Sequence, residues 1–185
     1  MSHAFRLVPR PCVLFLCVVA WLATSGALAQ GAPPAPATVQ VAGNVENTLG
    51  LGIEDLRQLA VQHVEDARQV RIGGAASKET EQTRHYTGVL LRDLITPAKP
   101  IEKERHDLRR SIVVVTAADG YKAAFSWAEL FISPIGEGVL VIFERDGAPL
   151  PPSEGPLALV SLRDTQPGPR HVKWLQKIEV RRIGD

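Results

Sequence analysis

Residues 155–175 read GPLALVSLRDTQPGPRHVKWL. Its apolar beginning predicts a β-strand over residues 157–162. Its end, RHVKW, sets Arg170, His171 and Lys173 around Trp174, shortly before another strand predicted at residues 178–180. The C-terminal part of the chain is therefore expected to be rich in β-structure, with a basic segment between two strands.

The rest of the chain interleaves short strands with short helices. Strands are predicted at residues 39–45, 69–72, 112–118, 121–125 and 139–144, helices at 53–61 and 89–95, and a polar loop at 75–85. The runs 112–118 and 139–144 are apolar enough to be buried on both faces. Ser126 and Glu129 fit an S-x-x-E capping box, which predicts a helix that begins after Ser126. Because there is no regular βαβ alternation, the pattern predicts an α+β fold with mixed sheets in a single domain.

The N-terminus has the features of a secretory signal peptide. Arg6 and Arg10 precede an apolar run of about half the roughly 20 residues that a membrane span needs. The small residues Ala27 and Ala29 predict cleavage before Gln30. We therefore expect a signal peptide at residues 1–29, a Pro/Ala-rich tether at 30–38, and a domain at 39–185 in the periplasm, not inserted in the membrane after cleavage.

Cysteine and charge content exclude several classes of function. Cys12 and Cys17 are the two cysteines of the chain and would leave with the signal peptide, so thiolate catalysis and thiolate metal ligation are not expected. Without Arg6 and Arg10, 19 of the 21 basic residues remain against 20 acidic ones, a balance that argues against nucleic-acid binding. The five histidines lack metal-ligand spacing, and His63 is expected at the surface, at the end of a helix.

Four segments in order resemble the molybdopterin-binding domain of the sulfite-oxidase family. They are YTGVLLRDL at 86–94, TAADGY at 116–121, DGAPLP at 146–151, and GPLALV at 155–160 leading to RHVKWL at 170–175. Each segment alone is weak, but the four in order are fairly specific. The resemblance spans nearly all of residues 39–185 and implies the sulfite-oxidase-type molybdopterin-binding fold.

The same resemblance implies where a cofactor would lie. In that family the RxVKW segment lies against the cofactor, which assigns Arg170 and Lys173 to its phosphate; the alternative is that both merely flank a core Trp174. The family's molybdenum-ligating cysteine precedes the YTGV segment, where this chain reads VRIGGAA at 70–76. The missing thiolate argues against a bound molybdenum cofactor and leaves an oxidoreductase without cysteine ligation as an alternative.

Small exported proteins of this fold that lack the cysteine offer a closer resemblance. They are periplasmic pterin-binding proteins that report bound pterin to the periplasmic domain of a membrane enzyme of cyclic-di-GMP metabolism. The resemblance implies a non-catalytic pterin-binding protein with a membrane signalling partner. A ligand-free interaction domain remains a third possibility.

A bound pterin would need a stacking aromatic ring, a carboxylate for its donor edge and a donor for its carbonyl oxygen. Candidates for stacking are Tyr86, Tyr121, Trp127 and Trp174, each of which could instead be a packing residue. The preferred carboxylates are Asp119 and Glu129, although a hairpin turn and the capping box are the stronger explanations of these two residues. Arg84 and His85, beside Tyr86 at the end of the predicted polar loop, complete the candidate site with Arg170 and Lys173.

Overall fold

The computed structural model describes residues 37–67 and 83–184. The chain divides into two units, residues 1–33 and 34–185, and every described residue belongs to the second. The predicted signal peptide, most of the predicted tether and the predicted strand at 69–72 lie outside the described residues. Within those residues, no helix has both the length and the apolar character needed to cross a bilayer.

Most of the secondary structure in the described part of the chain is β. The strands are β1 Thr38–Gly43, β2 Leu49–Gly52, β3 Val61–Asp66, β4 Arg84–Leu90, β5 Ser111–Ala117, β6 Lys122–Ser126, β7 Val139–Arg145, β8 Ala148–Pro149, β9 Ala158–Ser161 and β10 Leu175–Arg182. The short α-helices are α1 Ile53–Leu56, α2 Leu91–Ile95 and α3 Trp127–Phe131, and single 3₁₀ turns occur at Thr96–Ala98, Asp107–Arg110 and Pro134–Gly138.

The strands form two sheets. The first has the order β2-β1-β10-β5-β6, in which β1 and β10 are parallel and the other neighbours antiparallel. The second has the order β3-β4-β7-β8, and β9 also pairs with β7. These mixed sheets with few short helices confirm the predicted fold class.

The main hydrophobic core joins the two sheets. The first sheet contributes residues of β1, β5, β6 and β10, and the second contributes alternate residues of β7 together with Val89 of β4 and Leu159 of β9. Apolar side chains of the three helices complete this core. A smaller core on the other face of the second sheet contains Tyr86, Leu140, Ile142, Leu150 and Val160. Strand β7 contributes to both cores, which confirms its predicted burial on both faces.

Several predicted elements are confirmed. The strands expected at 39–45, 112–118, 121–125, 139–144, 157–162 and 178–180 correspond to β1, β5, β6, β7, β9 and β10, within a few residues at their ends. Ser126 caps α3 as expected: its hydroxyl accepts from the Glu129 N–H at 3.1 Å, and Glu129 Oε2 accepts from the Ser126 N–H at 2.7 Å. Burial of β5 is less complete than predicted, because Ile112 and Thr116 on its outer face are only half-buried.

Both helices predicted in the first half are too long. The helix expected at 53–61 ends at Leu56, and Val61 begins β3, which pairs with β4 along its whole length. His63 is exposed as expected, but it lies on β3 and not on a helix. The helix expected at 89–95 begins only at Leu91, because Val89 pairs with both Val61 and Val141. Strand pairing overrides the helical spacing in both places.

The loop predicted at 75–85 also ends too late. Residues 75–82 lie outside the described part of the chain, whereas Arg84 and His85 are the first residues of β4. Their backbone pairs with Asp66 and Glu65 of β3, so neither residue belongs to a loop. Strands β2, β3, β4 and β8 have no counterpart in the sequence prediction.

Gly88 lies where the backbones of β4 and β7 leave no room for a side chain. A register shift occurs between Thr87 and Gly88. A Cβ atom at residue 88 would lie 2.3 Å from the Val141 carbonyl oxygen and 2.8 Å from the Ile142 Cα. The glycine is therefore required here for space.

We expect Gly88→Ala to lower the free energy of unfolding by about 1–3 kcal/mol, because β4 and β7 must separate to admit the methyl group. Urea denaturation followed by circular dichroism measures the change. Gly50→Ala is the matched control, since nothing lies within 4 Å of its Cβ position. Equal destabilisation by the two substitutions would contradict the steric explanation.

Candidate functional site

Four of the predicted site residues, Arg84, Tyr86, Glu129 and Arg170, lie in two groups of interacting side chains, and the others lie outside these groups. The first group, which we call the Glu154 cluster, consists of Arg84, Tyr86, Arg145, Glu154 and His171. The second, the Arg170 clamp, consists of Phe125, Glu129, Asp164 and Arg170. The segment from Gly168 to Trp174 connects the two groups.

Glu154 is a buried carboxylate between basic side chains. It is only 5% exposed. Its Oε1 accepts a hydrogen bond of 2.7 Å from Arg145 Nη1. Its Oε2 lies 3.6 Å from His171 Nε2, which is within ion-pair range but beyond hydrogen-bond length. Glu154 Oε2 and His171 Nε2 are both buried, and neither has a hydrogen-bond partner among the described residues.

The charges around Glu154 shift its ionisation. Interaction with His171, and then the positive charges of Arg145 and Lys173, hold the pKa of Glu154 below its ordinary value, although burial acts in the opposite direction. Burial alone would lower the pKa of Arg84, but Tyr86 and the carboxylates of Glu154 and Asp66 outweigh it and raise that pKa. The cluster therefore combines an ionised carboxylate with permanent cations.

Strand pairing explains how the cluster assembles. Tyr86 on β4 is directly opposite Arg145 on β7, and Arg84 is opposite Asp66 on β3. Tyr86 is buried in the smaller core, so its packing holds this end of β4 against the core. The Trp174 N–H donates to the Glu154 carbonyl at 2.8 Å, which ties the RHVKW segment to the loop that carries Glu154.

Trp174 has an uncommon backbone conformation, with φ at +50°. A non-glycine residue in this left-handed region costs free energy, and such strain often accompanies functional sites. Its ring lies against Gly155, where a Cβ atom would be 2.7 Å from Trp174 Cδ2.

A bulge in β10 follows directly after Trp174, since the register between β10 and β5 shifts between Leu175 and Lys177. Trp174, Pro156 and Lys177 contribute to a groove of about 510 Å³ beside β1 and β2.

The Arg170 clamp uses the arginine internally. Its guanidinium forms a bidentate interaction with Asp164, donates to Glu129 Oε1 at 3.0 Å, and lies 4.5 Å from the centre of the Phe125 ring. The hydrogen bonds to Asp164 and then to Glu129 raise the pKa of Arg170. Burial alone would raise the pKa of Glu129, but hydrogen bonds from Ser126 and Arg170 lower it overall. The clamp thus attaches the RHVKW segment to α3.

Six predicted site residues lie in neither group. Lys173, which is exposed, and Trp174 belong to the segment that connects the groups. The other four lie elsewhere. Asp119 accepts from the Tyr121 N–H at 2.9 Å within the β5–β6 turn. Tyr121 is 45% exposed, and its hydroxyl donates to the Pro169 carbonyl. Trp127 stacks on Phe131 at 3.9 Å and packs against the main core. His85 is exposed, and its backbone N–H donates to Asp146 at 2.9 Å.

Sequence reasoning missed two members of the Glu154 cluster and gave His171 no place in the site. Arg145 and Glu154 carry no motif of their own. The available signal was positional: Arg145 immediately precedes the DGAPLP segment, and Glu154 immediately precedes GPLALV. The described residues contain no group of three or more His, Cys, Asp or Glu side chains that could hold a metal ion.

We expect Arg170→Ala to destabilise the fold by about 1–3 kcal/mol, because it leaves Asp164 and Glu129 without their shared cation. Thermal and urea unfolding measure the loss. Arg163→Ala is the neighbouring control: Arg163 forms an exposed ion pair of 2.9 Å with Glu137, so its loss should cost less than about 1 kcal/mol. Equal costs would show that the clamp adds no stability beyond an ordinary surface pair.

The lowered pKa of Glu154 predicts a dependence of stability on pH. Ionised Glu154 stabilises the fold above its ordinary pKa of 4.5, and this contribution is lost as pH falls through the lower folded value. Unfolding free energies measured from neutral pH down to acid should therefore fall less steeply below about pH 4.5 in Glu154→Gln than in the wild type. If the unfolding free energy fell equally steeply with pH in both proteins, a lowered pKa of Glu154 in the folded state would be contradicted.

Comparison with known proteins agrees with this architecture. The profile of the oxidoreductase molybdopterin binding domain matches residues 30–183. No curated protein matches the sequence. The crystal structure of the sulfane dehydrogenase SoxCD from Paracoccus pantotrophus is similar with a TM-score of 0.58 and 18% identity, over 78% of this chain and 38% of that one, which shows a common fold. By its profile match and its fold, this chain belongs to the oxidoreductase molybdopterin-binding domain family.

Proposed function

We propose that this protein is an exported, non-catalytic pterin-binding protein that reports its occupancy to the periplasmic domain of a membrane signalling protein. One observation carries the proposal. The family-matched residues 30–183 contain no cysteine, yet the described residues keep a cationic cluster around a buried carboxylate beside a strained tryptophan. The chain therefore keeps features suited to the organic part of the cofactor without the expected ligand for its metal.

The metal part of a molybdenum cofactor does not fit the donor set. The resemblance to sulfite oxidases implies a thiolate ligand ahead of Tyr86, and no cysteine occurs there. A soft metal centre without this ligand would lose its protein anchor. We therefore assign no redox step to the chain.

The organic part fits better. A pterin is a flat ring whose edge carries an amino group, a ring N–H and a carbonyl oxygen. The Glu154 cluster offers a carboxylate beside two guanidinium groups, a donor and acceptor set that can match such an edge. Trp174, tied to Glu154 through its backbone, is an aromatic surface for stacking.

The proposed location and partner rest on the sequence. The export signal and the resemblance to cysteine-free periplasmic pterin-binding proteins support a periplasmic location. They also support a membrane enzyme of cyclic-di-GMP metabolism as the partner. In this mechanism the protein changes the partner's activity through contact, and the pterin is not consumed.

Titration of the exported chain with tetrahydropterins and oxidised pterins tests the binding. Saturable quenching of tryptophan fluorescence is expected. Trp174→Leu should weaken binding several-fold or more, in line with about 0.5–1.5 kcal/mol for one aromatic contact. Trp127→Leu is the matched control, because Trp127 packs on Phe131 instead. If none of the pterins binds, the proposal is wrong.

Two further measurements separate the alternatives. Stoichiometric molybdenum in protein exported from a molybdenum-replete host would favour an oxidoreductase without cysteine ligation. Crosslinking in membranes with and without pterin tests the signalling role. A crosslinked partner whose yield does not respond to pterin would instead favour a ligand-free interaction domain.

A further inference from the structure

The Oε2 atom of Glu154 is a buried acceptor of the site whose hydrogen-bonding capacity is unused among the described residues. It is buried, carries part of a negative charge and accepts no hydrogen bond from the described residues. A buried acceptor without a donor is costly, and more so when it is charged. The His171 Nε2 atom lies 3.6 Å away and also has no hydrogen-bond partner among the described residues. A ligand that supplies a donor to this carboxylate would remove the cost.

The neighbouring cation determines which ligand edge would fit. Arg145 binds Oε1 at 2.7 Å, so a guanidinium and a carboxylate lie side by side. A 2-amino-4-oxo pteridine presents two adjacent donors, the 2-amino group and the N3–H, followed by the O4 acceptor. The carboxylate can accept from the first two, and a guanidinium N–H can donate to the third.

The other acidic candidates are already engaged. Glu129 accepts from the Ser126 N–H and hydroxyl through Oε2 and from Arg170 through Oε1. Asp119 is exposed and closes the β5–β6 turn. Among these three carboxylates, only Glu154 combines burial with an oxygen that accepts no hydrogen bond.

We propose that Glu154 is the specificity-determining residue of the pterin site and selects 2-amino-4-oxo pteridines over 2,4-dioxo pteridines. The inference rests on the proposed pterin-binding function and assigns its recognition residue. Replacement of the amino group by a carbonyl oxygen turns one donor into an acceptor that faces the carboxylate. Repulsion between this carbonyl oxygen and the Glu154 carboxylate then replaces a hydrogen bond. The carboxylate cannot easily turn away, because Arg145 binds its Oε1 atom.

The test compares pterin with lumazine, its 2,4-dioxo analogue, by fluorescence titration near neutral pH. The wild type should bind pterin roughly ten- to a hundredfold more tightly than lumazine, as expected for a charged hydrogen bond exchanged for repulsion. In Glu154→Gln this preference should largely disappear, because the amide side chain can donate to the lumazine carbonyl. Glu137→Gln, at an exposed ion pair with Arg163, is the matched control and should keep the full preference.

The outcomes separate the inference from the function on which it rests. If the wild type binds no pteridine, the proposed function fails. If it binds pterin and lumazine equally, or if Glu154→Gln keeps the preference, the function stands and the inference is overturned. Loss of the preference in Asp119→Asn with retention in Glu154→Gln would assign recognition to Asp119.

Loss of folding must be distinguished from loss of recognition. Glu154→Gln is therefore checked by circular dichroism and thermal unfolding. If it does not fold, Glu154→Asp replaces it, since this substitution keeps the charge near Arg145 but withdraws the carboxylate by one methylene. A preference unchanged in Glu154→Asp would overturn the inference, whereas a reduced preference supports it.

Discussion

Strand β7 packs against a hydrophobic core on each of its faces, and this double burial determines where the candidate site lies. Val139, Val141 and Phe143 belong to the main core, and Leu140 and Ile142 to the smaller one. A strand between two cores must be apolar throughout, so its first polar residues occur where it leaves both. Those residues are Glu144, which pairs with Arg57 at 2.6 Å, and Arg145, which binds Glu154. The candidate site therefore lies where this strand emerges from the interior.

The RHVKW segment is held to this edge from two sides. The Arg170 clamp attaches it to α3, and the hydrogen bond from the Trp174 N–H attaches it to the Glu154 carbonyl. Arg170, the most obvious anion ligand in the sequence, is thus largely engaged by protein carboxylates. It orients the segment, while His171 belongs to the Glu154 cluster and Trp174 is hydrogen-bonded to Glu154 through its backbone.

Local signals predicted local structure well. The Ser126–Glu129 capping box and the apolar run of β7 depend on neighbouring residues, and both could be predicted from the sequence. The helix limits at 53–61 and 89–95 failed because the ladder between β3 and β4 decides them, and helical spacing carries no information about that pairing. Glu154 could not be predicted as a site residue, since its burial depends on Arg145, nine positions away, and on His171 beyond a further strand.

The parallel pairing of β1 with β10 has a consequence for the order in which the protein folds. The first described strand lies between β2 and β10, and β10 lies between β1 and β5, so the five-stranded sheet cannot close until its C-terminal strand is present. Such a non-local contact forms late, because a long loop must close before the pairing contributes stability. The five-stranded sheet of such a chain therefore stays incomplete until β10 has been synthesised.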